Sequence, residues 1–283
     1  MRLERLTKAV FSRIPPNLGE RDPTRGCAMR MKSWNRSWLL GLLGGLLSDL
    51  LIAAGNVSGQ GAEGDTALSS EKPHIPGPMF FDLVRPLGVR QGELEINTLA
   101  AHNLLSGETE WAPEIEGGIA DNLALELEWP FHNLSLRQYK VALQGTLGAL
   151  GGHRFIHGWQ GIGYYDRHHR RYTADVLYLA GFRLDEHVSS LHMGGLRREG
   201  FDAKGEFAGL FNTSWFYDTS QSLTFGIEMN NEFRGRKGWH YLLLPQIHMD
   251  FAEHTTLQWG VGVSQQRGQH TEWVAAWRMI YAF

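Results

Sequence analysis

Of the eight glutamates between residues 93 and 128, six stand two at a time well within the predicted strands: Glu93 and Glu95, Glu114 and Glu116, Glu126 and Glu128. In an extended chain, residues two apart point to the same face, so each pair presents two carboxylates side by side. A tight turn centred near Asp121 sets Glu116 opposite Glu126 and Glu114 opposite Glu128. Like charges directly opposite one another are destabilising. Something must offset them: a base from a facing strand, a bound cation, or protonation of some carboxylates. The bases predicted to face the same way are Lys140, Arg183 and Arg278, whereas Asp175, Glu206, Glu228, Glu232 and Asp250 add to the negative side. Carboxylates lining a wet path favour cations. Tied into ion pairs, the same groups would only brace a plugged structural barrel without transport, and both readings stand.

Other chemistry finds no residue set. There is no G-x-S-x-G, phosphate loop, dinucleotide-binding glycine pattern or H-E-x-x-H, so no catalytic residues, metal ligands or cofactor are expected. His240, His248 and Asp250 share a face, but the two histidines are eight residues apart, roughly 25 Å along a strand. "RHHRR" (167–171) reads as a basic loop facing lipopolysaccharide phosphates or simply solvated. The enzyme alternative is an outer-membrane lipid-modifying protein of phospholipase or deacylase type, which needs a Ser–His pair on the lipid-facing surface. His157 is the candidate base, and the strands predicted beside it offer no outward serine.

The elements that must position these side chains are strands. In "TLQWGVGVSQQ", Leu257, Trp259, Val261 and Val263 alternate with Gln258, Gly260, Gly262 and Ser264. In the final "EWVAAWRMIYAF", Trp273, Trp277, Met279, Tyr281 and Phe283 fall on one side and Arg278 on the other. Alternating segments near 92–102, 110–119, 122–130, 135–147, 153–165, 172–183, 188–200, 205–217, 221–233, 239–251, 255–267 and 271–283 predict twelve strands. Tiny breaks alternate with longer polar ones, as in a barrel with short turns at one end and loops at the other. With 34 Gly, 10 Trp and 8 Tyr in 283 residues, composition agrees with β-structure. The fold expected is therefore all-β: a closed antiparallel transmembrane barrel of about twelve strands, aromatic face outward. A soluble β-sandwich or lipocalin-like barrel would bury that face instead.

Residues 1–30 read as an upstream extension from a wrongly chosen start codon. "MKSWNRSWLLGLLGGLLSDLLIAAG" (31–55) has the basic, apolar and small-residue layout of a cleaved signal peptide. Residues 56–90, rich in Gly, Ser and Pro, read as a flexible periplasmic lead-in, and 91–283 as the barrel. Residues 1–37 hold nine Lys or Arg against three acids, which leaves 18 bases and 27 acids in the rest, a net of −9. The folded part is acidic, and nucleic acid is not an expected partner. The single cysteine, Cys27, suits export through an oxidising compartment.

The stretch "GELEINTLAAHNLLSGETEWAPEIEGGIADNLALELEWPF" (92–131) resembles the N-terminal hairpins of the MetA-pathway of phenol degradation family. Their "E-x-E-x-G-x-x-D-x-L-x-L-E-L-E-x-P-F" phrase is matched by Glu114, Glu116, Gly118, Asp121, Leu123, Leu125, Glu126, Leu127, Glu128, Pro130 and Phe131. The resemblance implies a bacterial outer-membrane protein that transports small solutes and carries no catalytic set. The expected partners are outer-membrane lipid and lipopolysaccharide, small solutes or cations, and the barrel-assembly machinery, for which the Met279, Tyr281 and Phe283 ending would be the signal.

Overall fold

The computed structural model describes residues 73–81, 83–150, 154–202, 205–235 and 238–283. The predicted extension, the signal peptide and residues 56–72 of the lead-in lie outside the described residues.

Alternation dictates the architecture. The first half of the sheet runs β1 (Leu94–Asn103), β2 (Thr109–Ala120), β3 (Leu123–Glu128), β6 (Gln138–Leu150), β7 (Phe155–Asp166) and β8 (Arg171–Arg183). The second runs β9 (Val188–Glu199), β10 (Glu206–Ser220), β11 (Leu223–Arg234), β12 (Gly238–Ala252), β13 (Thr255–Gln266) and β14 (Glu272–Ala282). Two-residue strands β4 (Phe131–His132) and β5 (Ser135–Leu136) form a small hairpin in the loop after β3, which leaves twelve strands in the wall. Each wall strand pairs antiparallel with its neighbours, and β1 pairs with both β2 and β14, so the sheet closes. Closure removes the sheet edges and satisfies the backbone within the wall, as a lipid environment requires.

The aromatic and aliphatic face points outward. Trp277 is 45% exposed, Met279 and Tyr281 44%, and Phe283 68%, while Arg278 between them is buried. Ile96, Ile115, Leu127, Val141, Val176, Ile227, Trp259 and Val261 continue this exposed apolar surface around the wall. A soluble sandwich would hide these side chains, whereas a barrel in lipid presents them as its outer band. The strand 153–165, whose register the alternation leaves open, resolves with Ile156, Gln160 and Ile162 inward and His157 and Trp159 outward.

The lead-in departs from the sequence reading. Its described part, from residue 73, is not a free tether but enters the lumen. Ile75, Met79, Phe81, Leu83, Val84 and Val89 are all buried, and all but Met79 pack with Ile156, Ile162, Leu177, Leu179, Leu191, Met193 and Phe216 of the wall. The segment shows no helical or strand period because it forms no regular element. Its apolar residues satisfy an irregular interior one by one, a burial that period-based reading does not register. It enters beside Arg183, whose Nη1 donates to the His74 carbonyl, and climbs to the middle of β11. It then returns, the Asn122 N–H donating to Val89 O at the tight-turn end before β1 begins. Gly181 makes room for it: a Cβ there would stand 2.4 Å from Ile75 Cδ1.

Candidate functional site

The lumen wall has two unlike halves. On β1, β2, β3, β6 and β14 the inward positions carry Glu95, Asn97, Glu114, Glu116, Glu126, Glu128, Lys140 and Arg278, every one buried. Strand register sets Glu114 opposite Glu128 and Glu116 opposite Glu126. The tight Asp121–Asn122 turn holds that register, with Asn122 in the left-handed region (φ 66°) that asparagine tolerates.

Two bases sit among these acids. Lys140 Nζ lies 2.6 Å from Glu126 and closer still to Glu128. Arg278 Nη2 donates to Glu114 at 2.5 Å and to Glu116 at 3.2 Å, and its Nε to Asn97 Oδ1 at 3.1 Å. Asn97 in turn donates to Glu116 at 2.8 Å. A third cation comes from the lumen segment: Arg85 bonds Glu95 and reaches Glu93 at 3.4 Å. Carboxylate oxygens of Glu114, Glu126 and Glu128 approach within 4.8 Å of one another, but Lys140 and Arg278 already occupy them, so the set reads as an ion-pair network and not a metal centre. Arg183, predicted as a base for this wall, lies elsewhere. It pairs with Asp218 at 2.6 Å and caps the Glu186 carbonyl, because its place at the very end of β8 puts it at the barrel mouth. That mouth holds a cavity of about 600 Å³ lined by Arg154, Arg183, Asp185, Glu186 and His187.

On the longer-loop side a second charged cluster runs along the inner face of β8, β9 and β11. Arg197 clasps Asp175 at 2.6 and 2.8 Å and reaches Glu232 at 3.3 Å, while Arg234 pairs with Glu232 and with Glu199 at 2.6 Å. Of the remaining predicted inward acids, Asp250 is exposed at the tight-turn end, and Glu206 is exposed at the start of β10. His240 bonds Ser264, and His248 lies against Gln258, so the two histidines serve separate places.

Glu228 is the residue that sequence reasoning underrated. It is fully buried on β11, and its carboxylate accepts the backbone N–H of Met79 at 2.8 Å and that of Phe80 at 3.1 Å. Asn230 supports it from the same strand at 2.7 Å. Across the lumen, Arg278 donates to Pro78 O at 3.4 Å, and Gln144 to Arg85 O at 2.6 Å. A chain segment whose amides end on a buried acid leaves no motif in the sequence.

The outer surface holds a second surprise. His157 faces outward and bonds Tyr178 at 3.0 Å. On β9, His192 also faces outward, its Nε2 3.1 Å from Ser190 Oγ and its Nδ1 2.8 Å from Thr213 Oγ1. Sequence reasoning weighed His157 and passed over His192. Ser190 is wholly buried between Phe182 and Trp215 on the adjoining strands, so these bonds satisfy a histidine on an apolar surface and leave the hydroxyl closed to substrate.

A closed antiparallel barrel with an apolar exterior and a lumen whose wall is charged on one side and apolar on the other defines the class: a twelve-stranded β-barrel of the membrane-spanning kind. Its fold is similar to that of the NanC porin (TM-score 0.58, 7% identity, 66% of this chain and 98% of that one). It is also similar to the COG4313 outer membrane channel from Pseudomonas putida F1 (TM-score 0.52, 12% identity, 74% of this chain and 100% of that one). No protein-family model matches the sequence, and no curated protein does.

Proposed function

We propose that this chain is a passive outer-membrane channel for small solutes, narrowed by its own N-terminal segment. The observation that carries the reading is the polar half of the lumen wall, where β1, β2, β3, β6 and β14 present buried carboxylates, bases and amides that a purely apolar structural core would not hold. The folds of the NanC porin and the COG4313 channel support it. The tight-turn end, where the described chain begins and ends, is assigned to the periplasm and the longer loops to the outside. The excess of acids on β1 to β3 favours cations over anions. The likeness of residues 92–131 to the MetA-pathway of phenol degradation family belongs to the same proposal. So do the outer-membrane location, a cleaved signal peptide, lipopolysaccharide contact at "RHHRR", and recognition of Met279, Tyr281 and Phe283 by the barrel-assembly machinery.

The test is made on outer-membrane protein whose gel mobility shifts on boiling, as a closed barrel requires. Its reversal potential in planar bilayers under a KCl gradient is compared with that of Glu114→Gln/Glu116→Gln. A cation preference that shrinks in the double variant is expected; equal permeability of K⁺ and Cl⁻ ends the cation reading. The buried segment specifically favours a second reading, a plugged barrel without transport. No conductance above background, even after Glu228→Ala loosens the segment, would establish it.

A further inference from the structure

Between the apolar stretch of β7 to β10 and the acidic strands lie β12 and β13, and near their tight-turn end the inward residues are of neither kind. Gln246 and His248 stand two apart on β12, and Gln258 lies directly across from His248 on β13. All three are buried, and Gln258 Nε2 comes within 3.5 Å of His248 Nδ1. Gln246 Nε2, Gln246 Oε1, His248 Nε2 and Gln258 Oε1 have no hydrogen-bond partner among the described residues. Buried polar atoms are seldom left unpaired. Here four of them meet on three adjoining side chains.

The charges nearest this set are already answered. Arg278, opposite Gln258 on β14, is held by Glu114, Glu116 and Asn97. Asp218, in the same row beyond Thr224, is held by Arg183 and by the Thr224 hydroxyl. An aromatic face completes the set. The Phe216 and His248 rings lie 5.7 Å apart, and Gly226 stands between Phe216 and Gln246 in register. A Cβ at Gly226 would come within 3.0 Å of Phe216 Cδ1 and 2.9 Å of Gln246 Cγ, so the glycine lets ring and amide draw together. The set begins one inward step from Asp250, which is exposed at the tight-turn mouth, and on its other side Met79 packs on Leu244 and Ala276.

Unpaired donors and acceptors without a free charge suit hydroxyl groups, which both give and accept hydrogen bonds. An ion would find no open counter-charge here, and a wholly apolar body would leave the polar atoms unmet. A ring bearing several hydroxyls answers both parts, its hydroxyl edge toward the amides and its C–H face toward Phe216.

We infer that Gln246, His248 and Gln258, with Phe216, form a docking place for an uncharged polyhydroxylated solute just inside the tight-turn mouth. This rests on the channel reading and narrows it to a solute class, while the acidic half still sets which ions pass.

The full chain, in a detergent without a sugar headgroup, is tested by equilibrium dialysis against glucose, cyclohexanol and glucuronate. These are rings of like size bearing several hydroxyls, one hydroxyl, and hydroxyls with a carboxylate. Wild type should hold glucose at least ~10-fold more tightly than cyclohexanol, because a site built for hydroxyls rejects a body that lacks them. Glucuronate should bind no more tightly than glucose. Gln246→Leu/Gln258→Leu, shown to be folded by its boiling shift, should lose the preference for glucose over cyclohexanol. Equal retention of those two probes by the wild type overturns the inference without recourse to any variant. Tighter binding of glucuronate, or a glucose preference that survives in the double variant, overturns it as well. Conductance separates it from the broader proposal: a barrel that passes KCl but shows no glucose preference refutes the docking place and keeps the channel. One that binds glucose through Gln246 and Gln258 yet never conducts refutes the channel and keeps the docking place.

Discussion

Glu228 holds Met79 across 149 residues of chain, its carboxylate accepting the Met79 N–H at 2.8 Å inside a closed barrel. The acid belongs to the wall and the amide to the segment in the lumen, so this bond joins the hydrogen-bonded sheet to a stretch that forms no strand of its own.

Replacing Glu228 by Ala should therefore open the lumen. A hydrogen bond to a charged partner contributes roughly 1.5–3 kcal/mol, so losing even one raises the released population by about 10- to 100-fold. Single-channel recording should show larger or more frequent openings than wild type. Glu228→Gln, which keeps an acceptor, should fall between. Currents identical to wild type in both variants would mean that the segment is held by its apolar contacts.

Gly181 offers an independent handle. Gly181→Leu would place side-chain atoms where Ile75 now lies, since even a Cβ comes within 2.4 Å of it. Overpacking of this sort costs about 1–3 kcal/mol. The entering residues of the segment should become faster to exchange amide hydrogens, and Ile75→Ala should restore the wild-type rate in the double variant. If Ile75→Ala rescues nothing, the disturbance lies in the wall.

How much of this was written in the sequence differs by element. The wall was legible because period two is a local property: Trp273, Trp277 and Tyr281 against Arg278 announce an outward and an inward face without knowledge of any neighbour. The Glu114–Glu128 and Glu116–Glu126 oppositions were legible too, because a short turn at Asp121 fixes register arithmetically. Partnerships between charged side chains of neighbouring strands were not. Lys140 and Arg278 could be placed inward but not assigned to particular acids, and Arg183 was assigned to the wrong wall. The lumen segment was misread because Gly and Pro mark irregular backbone, and irregular backbone is at home either in water or packed inside a barrel. The His192–Ser190–Thr213 set needed a third strand and a packed surface to become visible.

Lys140 answers two carboxylates at once, so its loss should be severe. Removing one partner of a buried ion pair typically costs about 3–5 kcal/mol, because the other charge stays behind. Lys140→Met should lower the temperature at which the folded gel band disappears. Adding Glu126→Gln and Glu128→Gln should recover most of that loss by removing the stranded charges. A single variant as heat-resistant as wild type would show that water reaches these acids freely.

The β8–β9 turn should loosen in acid. Asp185 lies in that turn, outside the wall strands, and the N–H groups of His187 and Val188 hold its carboxyl below the usual aspartate range. Because the folded value is depressed, its contribution is present above the unfolded value and is lost as pH falls through the folded one. Amide exchange at His187 and Val188 should stay slow at neutral pH and accelerate at the acid side of the aspartate range, while Asp185→Ala should be fast throughout. Protection in the wild type that ignores acid would remove the carboxylate from the account.

Phe283 separates assembly from stability. Its ring is 68% exposed on the outer face, while its backbone N–H donates to Leu94 O at 3.0 Å and so closes the last pairing of β14 with β1. Phe283→Ala keeps that bond and removes a ring with few neighbours, so a barrel refolded in detergent should melt within about 0.5 kcal/mol of wild type. In cells the outcome should differ if the alternating Met279, Tyr281 and Phe283 strip is read by the assembly machinery. The variant should then reach the outer membrane at well under the wild-type level while folding normally outside the cell. Equal amounts in the membrane would remove the terminal ring from recognition, and a large loss of refolded stability would assign it to packing instead.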